Sequence, residues 1–245
     1  MTLILGINCK DGIVMASDGV NTTTSIQDWV HQPANKKIEI YDDLIIGCAG
    51  SLSLNDKIMS ELNQLYVSND KFKSLSIFEI IKKIEYRIKQ AVQEEIKKHK
   101  EYIAIFKKAS ELETKEQIGC LMAFPCNDKL MLIHFDWASG SATRIEDVTF
   151  SAIGWFSLNV LSYLTFIQKN LCKDSQLTKE EGIFSAMLAM KHAIDFSALK
   201  ISEPIKIYLL HFQNGKSLCQ ELTGQELQLY ENKVLEFESY LKKFN

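Results

Sequence analysis

The sequence predicts an α+β fold of four layers, in which two face-to-face sheets are covered on their outer sides by helices. Three observations predict it. Short alternating or wholly apolar runs cluster at the start, in the middle and near the end of the 245-residue chain. Between these clusters lie stretches with apolar residues every three or four positions, the spacing of an amphipathic helix. The resulting order, strands, two helices, strands, two helices, strands, helix, supplies each sheet with a helix pair, which is an αββα sandwich.

Each element has a local reason. Residues 2–9 put Leu3, Leu5, Ile7 and Cys9 on one side and Thr2, Ile4, Gly6 and Asn8 on the other, a strand with one strongly apolar face. Asp11-Gly12 tolerates positive φ and makes a tight hairpin, so residues 13–18 return as a second strand. Residues 37–40 alternate, Asp42-Asp43 supplies a turn, and residues 44–49 are apolar enough for a strand covered on both faces. The intervening stretch TTTSIQDWVHQPAN is read as a loop. Leu52, Ile58, Leu62 and Leu65 mark a first helix, and Ile77, Ile80, Ile81, Ile84, Ile88, Val92 and Ile96 a long second one over 76–111. The charges of its EEIKKHK segment form a solvated helix face. Residues 118–124, 129–137 and 141–154 read as further strands, 157–171 and 179–196 as helices, 205–213 and 218–224 as strands. The last twenty residues form a terminal amphipathic helix with Leu227, Val234, Phe237 and Leu241 on its apolar face.

Composition narrows the function classes. A formal net charge of −3 offers no bulk attraction to nucleic acid or to an anionic membrane. No run approaches the roughly 18 apolar residues of a membrane span, and no basic region with an apolar core opens the chain, so a cytoplasmic location is expected. Cys9, Cys48, Cys120, Cys126, Cys172 and Cys219 form no CxxC pair and read as buried thiols. The 5 histidines show no HExxH or other ligand spacing, so neither a metal nor a cofactor is expected. With 3 prolines, 11 glycines and no linker-like stretch, residues 1–245 are expected to form one domain.

In element order the sequence resembles the proteasome β-subunit and HslV group of N-terminal-nucleophile hydrolases, and its MTLILG start and ISEPIKI segment are similar to bacterial proteasome-related proteins of the Anbu type. The motif-level resemblance lies in the first fifty-odd residues: Thr2, the glycine-containing hairpin, Asp18, Lys36 before the third strand, and the turn Ala49-Gly50-Ser51. The resemblance implies a threonine-type peptidase. Removal of Met1 would leave Thr2 with a hydroxyl nucleophile and a free α-amine of pKa about 7.7–8.0 to act as its base. Lys36 would keep the local potential positive, Asp18 would pair with Lys36, and the Gly50 N–H would stabilise the oxyanion. No propeptide is expected.

Two positions depart from that pattern. Where the family carries a Gly-Ser-Gly turn, this chain reads Ile153-Gly154-Trp155-Phe156-Ser157, so Trp155 stands at the place of a serine that supports the threonine amine. The aspartate expected after the fourth helix corresponds to Asp195, with Ser197 or Ala198 near the second supporting serine. By the same resemblance Asn21, Cys48 and Leu52 would edge the substrate pocket, and Thr22 would bond a peptide substrate as an added strand. Cys48 and Leu52 can equally be core residues.

The partners the resemblance implies are a peptide or unfolded-protein substrate, further copies of the chain in a ring or open helical array, and, for folded substrates, a separate ATPase, since this chain carries no GxxxxGK[ST] motif. The alternative reading is a non-catalytic structural subunit of such an assembly.

Overall fold

The chain opens with β1 (Leu3–Cys9) and β2 (Gly12–Ser17), turning at Asp11 and paired antiparallel from Ile4 opposite Ser17 to Cys9 opposite Gly12. The architecture is that of a computed structural model, which describes residues 2–24, 29–33, 36–50, 52–67, 72–106, 119–136, 141–144, 149–171, 176–197 and 201–243. After β2 come β3 (Val20–Thr24) and β4 (Trp29–Pro33), then β5 (Ile38–Tyr41) and β6 (Leu44–Ala49). Helices α1 (Leu52–Val67) and α2 (Ile77–Phe106) follow, with a short 3-10 turn at Phe72–Ser74 between them. Next are β7 (Gly119–Cys126), β8 (Lys129–Asp136), β9 (Ser141–Arg144) and β10 (Phe150–Gly154). The chain continues with α3 (Ser157–Leu171), α4 (Lys179–Phe196), β11 (Lys206–Gln213), β12 (Lys216–Glu221) and α5 (Gly224–Lys242).

Two five-stranded antiparallel sheets result, ordered β10-β1-β2-β11-β12 and β5-β6-β7-β8-β9. The period-two alternation of each strand sends its side chains into two different cores. Leu3, Leu5, Ile7 and Val14 face α3, α4 and α5, whereas Ile4, Ile13 and Met15 face the second sheet. On that sheet Leu44, Ile46 and Cys48 pack under α1 and α2, and Ile45, Leu121 and Ala123 meet the first sheet. The four layers are therefore α3/α4, sheet, sheet, α1/α2, with α5 laid against α4 through Tyr230 and Val234. Helices α4 and α5 each begin with a capping box, Thr178 with Glu181 and Thr223 with Glu226, which satisfies N–H groups that have no intrahelical partner.

The expected αββα sandwich is the observed one, with two local differences. The stretch read as a loop contains most of β3 and all of β4, a hairpin of its own in register from Val20 opposite Pro33 to Thr24 opposite Trp29. Its polar Thr-rich composition hides the pattern that a half-buried strand shows. The run 141–154 divides between the sheets, β9 on the second and β10 on the first beside β1. The long helix is described as far as Phe106, and residues 107–111 of the expected helix lie outside the described residues.

Polar bridges tie the sheets together. Asp43, in the β5–β6 turn, accepts hydrogen bonds from Tyr66 of α1 and, at 2.6 Å, from Ser217 of β12. Ser151 of β10 lies 3.0 Å, Oγ to Nδ1, from His134 of β8. Burial lowers the His134 pKa below its ordinary 6.5, against an opposing pull from Asp136.

That shift has a pH consequence. Because the folded state holds His134 neutral where the unfolded chain takes up a proton, its contribution to stability is complete above about pH 6.5 and is lost as the pH falls toward the lower folded-state value. Urea midpoints measured from pH 7 to pH 5 should decline, and His134→Gln should flatten that decline, leaving the share of His192 and His211, whose pKa values burial also lowers. An unchanged slope in the variant would remove His134 as a source.

Candidate functional site

The site forms where β1 begins, β2 ends and β5 and β6 cross beneath them. Asp18 follows β2 directly and is 1% exposed. Its Oδ1 accepts the Leu3 N–H at 2.9 Å, and the Asp18 N–H donates to the Leu3 carbonyl at 3.4 Å. The carboxylate is thereby fixed one peptide away from Thr2. Its second oxygen lies 2.7 Å from the Lys37 ammonium, and Lys37 is itself buried at the start of β5. Burial raises the Asp18 pKa, against the lowering influence of Lys37 and of the Leu3 N–H; burial likewise lowers that of Lys37, against the raising influence of Asp18. Two buried charges in contact make a pair in which each holds the other ionised.

Asp18 thus pairs with Lys37 and not with Lys36, which is exposed. The reason is register. The Lys37 carbonyl accepts the Cys48 N–H at 3.3 Å as β5 joins β6, and consecutive side chains in extended backbone point to opposite sides. One residue decides which lysine enters the interior.

Two tight approaches hold the walls. A Cβ on Gly19 would lie 2.2 Å from the ring of Pro204, so only glycine lets the chain leave Asp18 against the segment before β11. Gly154, at φ +90°, ends β10 opposite Leu3, and a Cβ there would lie 2.0 Å from the Thr2 carbonyl oxygen. That same oxygen accepts the Trp155 N–H at 2.7 Å. The turn around Gly154 therefore grips Thr2 by its backbone, while Phe156, at φ +68°, packs into the core under α3 and α4. The Trp155 side chain is 45% exposed. Gly50, at φ +149°, closes β6 next to this turn, since a Cβ on Gly154 would also stand 3.3 Å from that of Ala49.

The structure thus brings together Thr2, Asp18, Lys37, the Ala49-Gly50 turn and Gly154. Asp195 is exposed on the last turn of α4 and acts electrostatically on His192. Ser197 is buried, its Oγ accepting the Ile201 N–H at 3.0 Å as the helix ends, and Ser157 opens α3. Cys48 is buried under α1 with its Sγ 3.5 Å from that of Cys120, as a core residue would be. Asn21 and Thr22 lie in β3 opposite Gln32 and His31, and Leu52 begins α1. Ala198 and Ser51 lie outside the described residues. Sequence reasoning missed Lys37, which no local signal separates from Lys36, and Asn55, whose amide donates to the carbonyls of Cys48 and Gly50. Among the described residues no group of three or more His, Cys, Asp or Glu could hold a metal ion, and no helix is long and apolar enough to cross a membrane.

This architecture is the proteasome-like N-terminal-nucleophile fold. Two solved structures share it over nearly their whole length. The chain is similar to Anbu (ancestral beta-subunit) from Yersinia bercovieri, with a TM-score of 0.72 and 13% identity, covering 99% of this chain and 95% of that one. It is also similar to an Anbu (Gly-1) mutant from Hyphomicrobium sp. strain MC1, with a TM-score of 0.68 and 13% identity, covering 99% and 96%. No family model matches the sequence, and no curated protein sequence matches it.

The buried pair makes the two lysines separable by experiment. Lys37→Ala strands the Asp18 carboxylate without its cation and should lower unfolding free energy by about 3–5 kcal/mol, as broken buried pairs do. Lys36→Ala, at an exposed position, should stay within about 0.5 kcal/mol of the parent. Denaturant titration of the two variants checks both figures, and equal losses would refute the assignment.

Proposed function

We propose that the chain is a threonine-type amidohydrolase, a peptidase in which Thr2, freed by removal of Met1, is both nucleophile and base. The observation that carries this reading is the buried Asp18–Lys37 pair, 2.7 Å across and tied through Leu3 to the peptide next to Thr2. A threonine hydroxyl needs a base near neutrality, and its own α-amine is one. Lys37 takes the role first expected of Lys36: its positive charge favours the alkoxide character that develops as the hydroxyl proton moves to the amine. Asp18 holds Lys37 charged and in place.

In the forward reaction Thr2 Oγ bonds to a peptide carbonyl carbon and the carbonyl oxygen gains the electron pair. The Gly50 N–H meets that oxyanion, the amine proton passes to the leaving nitrogen, and the C–N bond breaks. Water then adds to the Thr2 ester and releases the acid, restoring the hydroxyl and amine. Trp155 changes the management of the amine proton, because at its position the chain offers a backbone N–H to Thr2 O and no hydroxyl. Asn21, Thr22 and Leu52 are the residues assigned by resemblance to substrate, for which a small or medium apolar side chain suits best, whereas Cys48 belongs to the core under α1. Transfer of the acyl group to an amine shares the first half of this sequence.

The chain functions as one copy of a larger assembly, a ring or an open helical array. The support is the apolar surface on the helix pair at the outer face, where Leu158, Phe166 and Phe196 are 78%, 57% and 67% exposed. An ATPase that unfolds protein substrates would be a separate chain. In this chain the thiols of Cys9, Cys48, Cys120, Cys126 and Cys219 form no disulfide, which fits a reducing compartment such as the cytoplasm.

A second reading, a structural subunit without chemistry, draws on the exposed Asp195 and on Trp155. Intact mass after incubation with a peptide epoxyketone separates the two. Hydrolase activity predicts loss of Met1 and one adduct per chain, and Thr2→Ala should lose the adduct and at least about 10³-fold in peptide turnover while keeping its assembly state. Retained Met1 without an adduct would establish the structural subunit instead. Sedimentation of the purified chain tests assembly: a monomer at micromolar concentration would remove that part of the proposal.

A further inference from the structure

Asn55 lies in the first turn of α1, 7% exposed, and nothing in the chemistry above uses it. Its Nδ2 donates to the Cys48 carbonyl at 3.3 Å and to the Gly50 carbonyl at 3.4 Å. These two carbonyls belong to the peptide groups immediately before and after the Ala49–Gly50 peptide, the one whose N–H is assigned to the oxyanion. Holding both neighbours to a single planar amide restrains ψ and φ on either side of the central peptide, and so the direction of its N–H. The restraint has work to do here, because Gly50 at φ +149° has no side chain to limit its rotation.

The other half of the amide sharpens the argument. Asn55 Oδ1 is buried and has no hydrogen-bond partner among the described residues. A buried unpaired oxygen is unfavourable, and an apolar side chain of the same size would avoid it. The amide is therefore a poor choice for packing alone, and its two donors account for its presence.

We infer that Asn55 is a positioning residue for the reaction: its amide clamps the peptide groups on both sides of Ala49–Gly50 and aims the Gly50 N–H at the oxyanion. The inference rests on the reading of Thr2 and Gly50 given under Proposed function. The contribution is made in the transition state, where the oxyanion exists, and hardly at all in the bound substrate.

The test uses the full chain with a fluorogenic peptide that it cleaves. Asn55→Leu keeps the volume and removes both donors; it should lower kcat by about 10–100-fold with KM within about threefold, as misaimed oxyanion donors do. Binding of a peptide aldehyde, which forms a tetrahedral adduct with Thr2, should weaken in proportion to the loss in kcat, whereas a non-covalent peptide alcohol of the same sequence should bind as before. A purely structural role would move both ligands together. Should Asn55→Leu not fold, Asn55→Asp has the same shape, turns a carboxylate toward the two carbonyls and carries the same expectation. A folded variant of either kind with kcat within about threefold of the parent overturns the inference, as does parallel loss of aldehyde and alcohol binding. Failure of the underlying reading looks different: the unaltered chain would take no epoxyketone on Thr2 and cleave no peptide, which overturns both together.

Discussion

The contact between Asp18 and Lys37 organises this molecule at the end where β1 begins. It joins the end of β2 in one sheet to the start of β5 in the other, and through the Leu3 N–H it also fixes where β1 begins. Both partners are almost wholly buried, so each ion loses most of its hydration and is held charged chiefly by the other. Burial alone would push both toward their neutral forms. A pair in that condition tolerates little displacement, and everything bonded to it inherits the constraint.

The neighbouring backbone is equally confined. Gly154 is pressed against the Thr2 carbonyl, Gly19 against Pro204, and Asn55 reaches back to the turn that ends β6. These approaches leave the start of β1 with two walls, one from β10 and one from β6. Farther along the sandwich, Asp43 with Ser217 and His134 with Ser151 repeat the same device, a polar bridge between sheets that otherwise meet through Ile4, Ile13, Ile45 and Leu121. Apolar contact holds the layers together without direction, whereas these bridges set how one sheet lies over the other.

Much of the fold was legible because its periodicities are strong. The isoleucines of α2 recur at helical spacing, and the strands of the first sheet are apolar on alternate positions or throughout. The β3–β4 hairpin was not legible, since a Thr-rich strand outside both main sheets shows no apolar face. The candidate site was read to within one residue at the lysine. Lys36 and Lys37 are identical in chemistry, and only the pairing of β5 with β6 says which side chain turns inward. Trp155 illustrates the converse: it stands where a supporting serine was expected, and only the fold shows its backbone N–H meeting the Thr2 carbonyl.

By itself the sequence determined the layer order, the identity of each helix and of most strands, and the candidacy of Thr2, Asp18 and Gly50, because periodicity and turn chemistry act over a few neighbouring residues. Only the tertiary structure decided that Lys37 closes on Asp18, that Gly154 and Trp155 grip Thr2 by its carbonyl, and that Asn55 spans the turn at Gly50. Those are contacts between segments brought together by register and close approach. A shift of one residue in an extended strand reverses every side chain, and no local pattern records which of the two positions the partner strand will select.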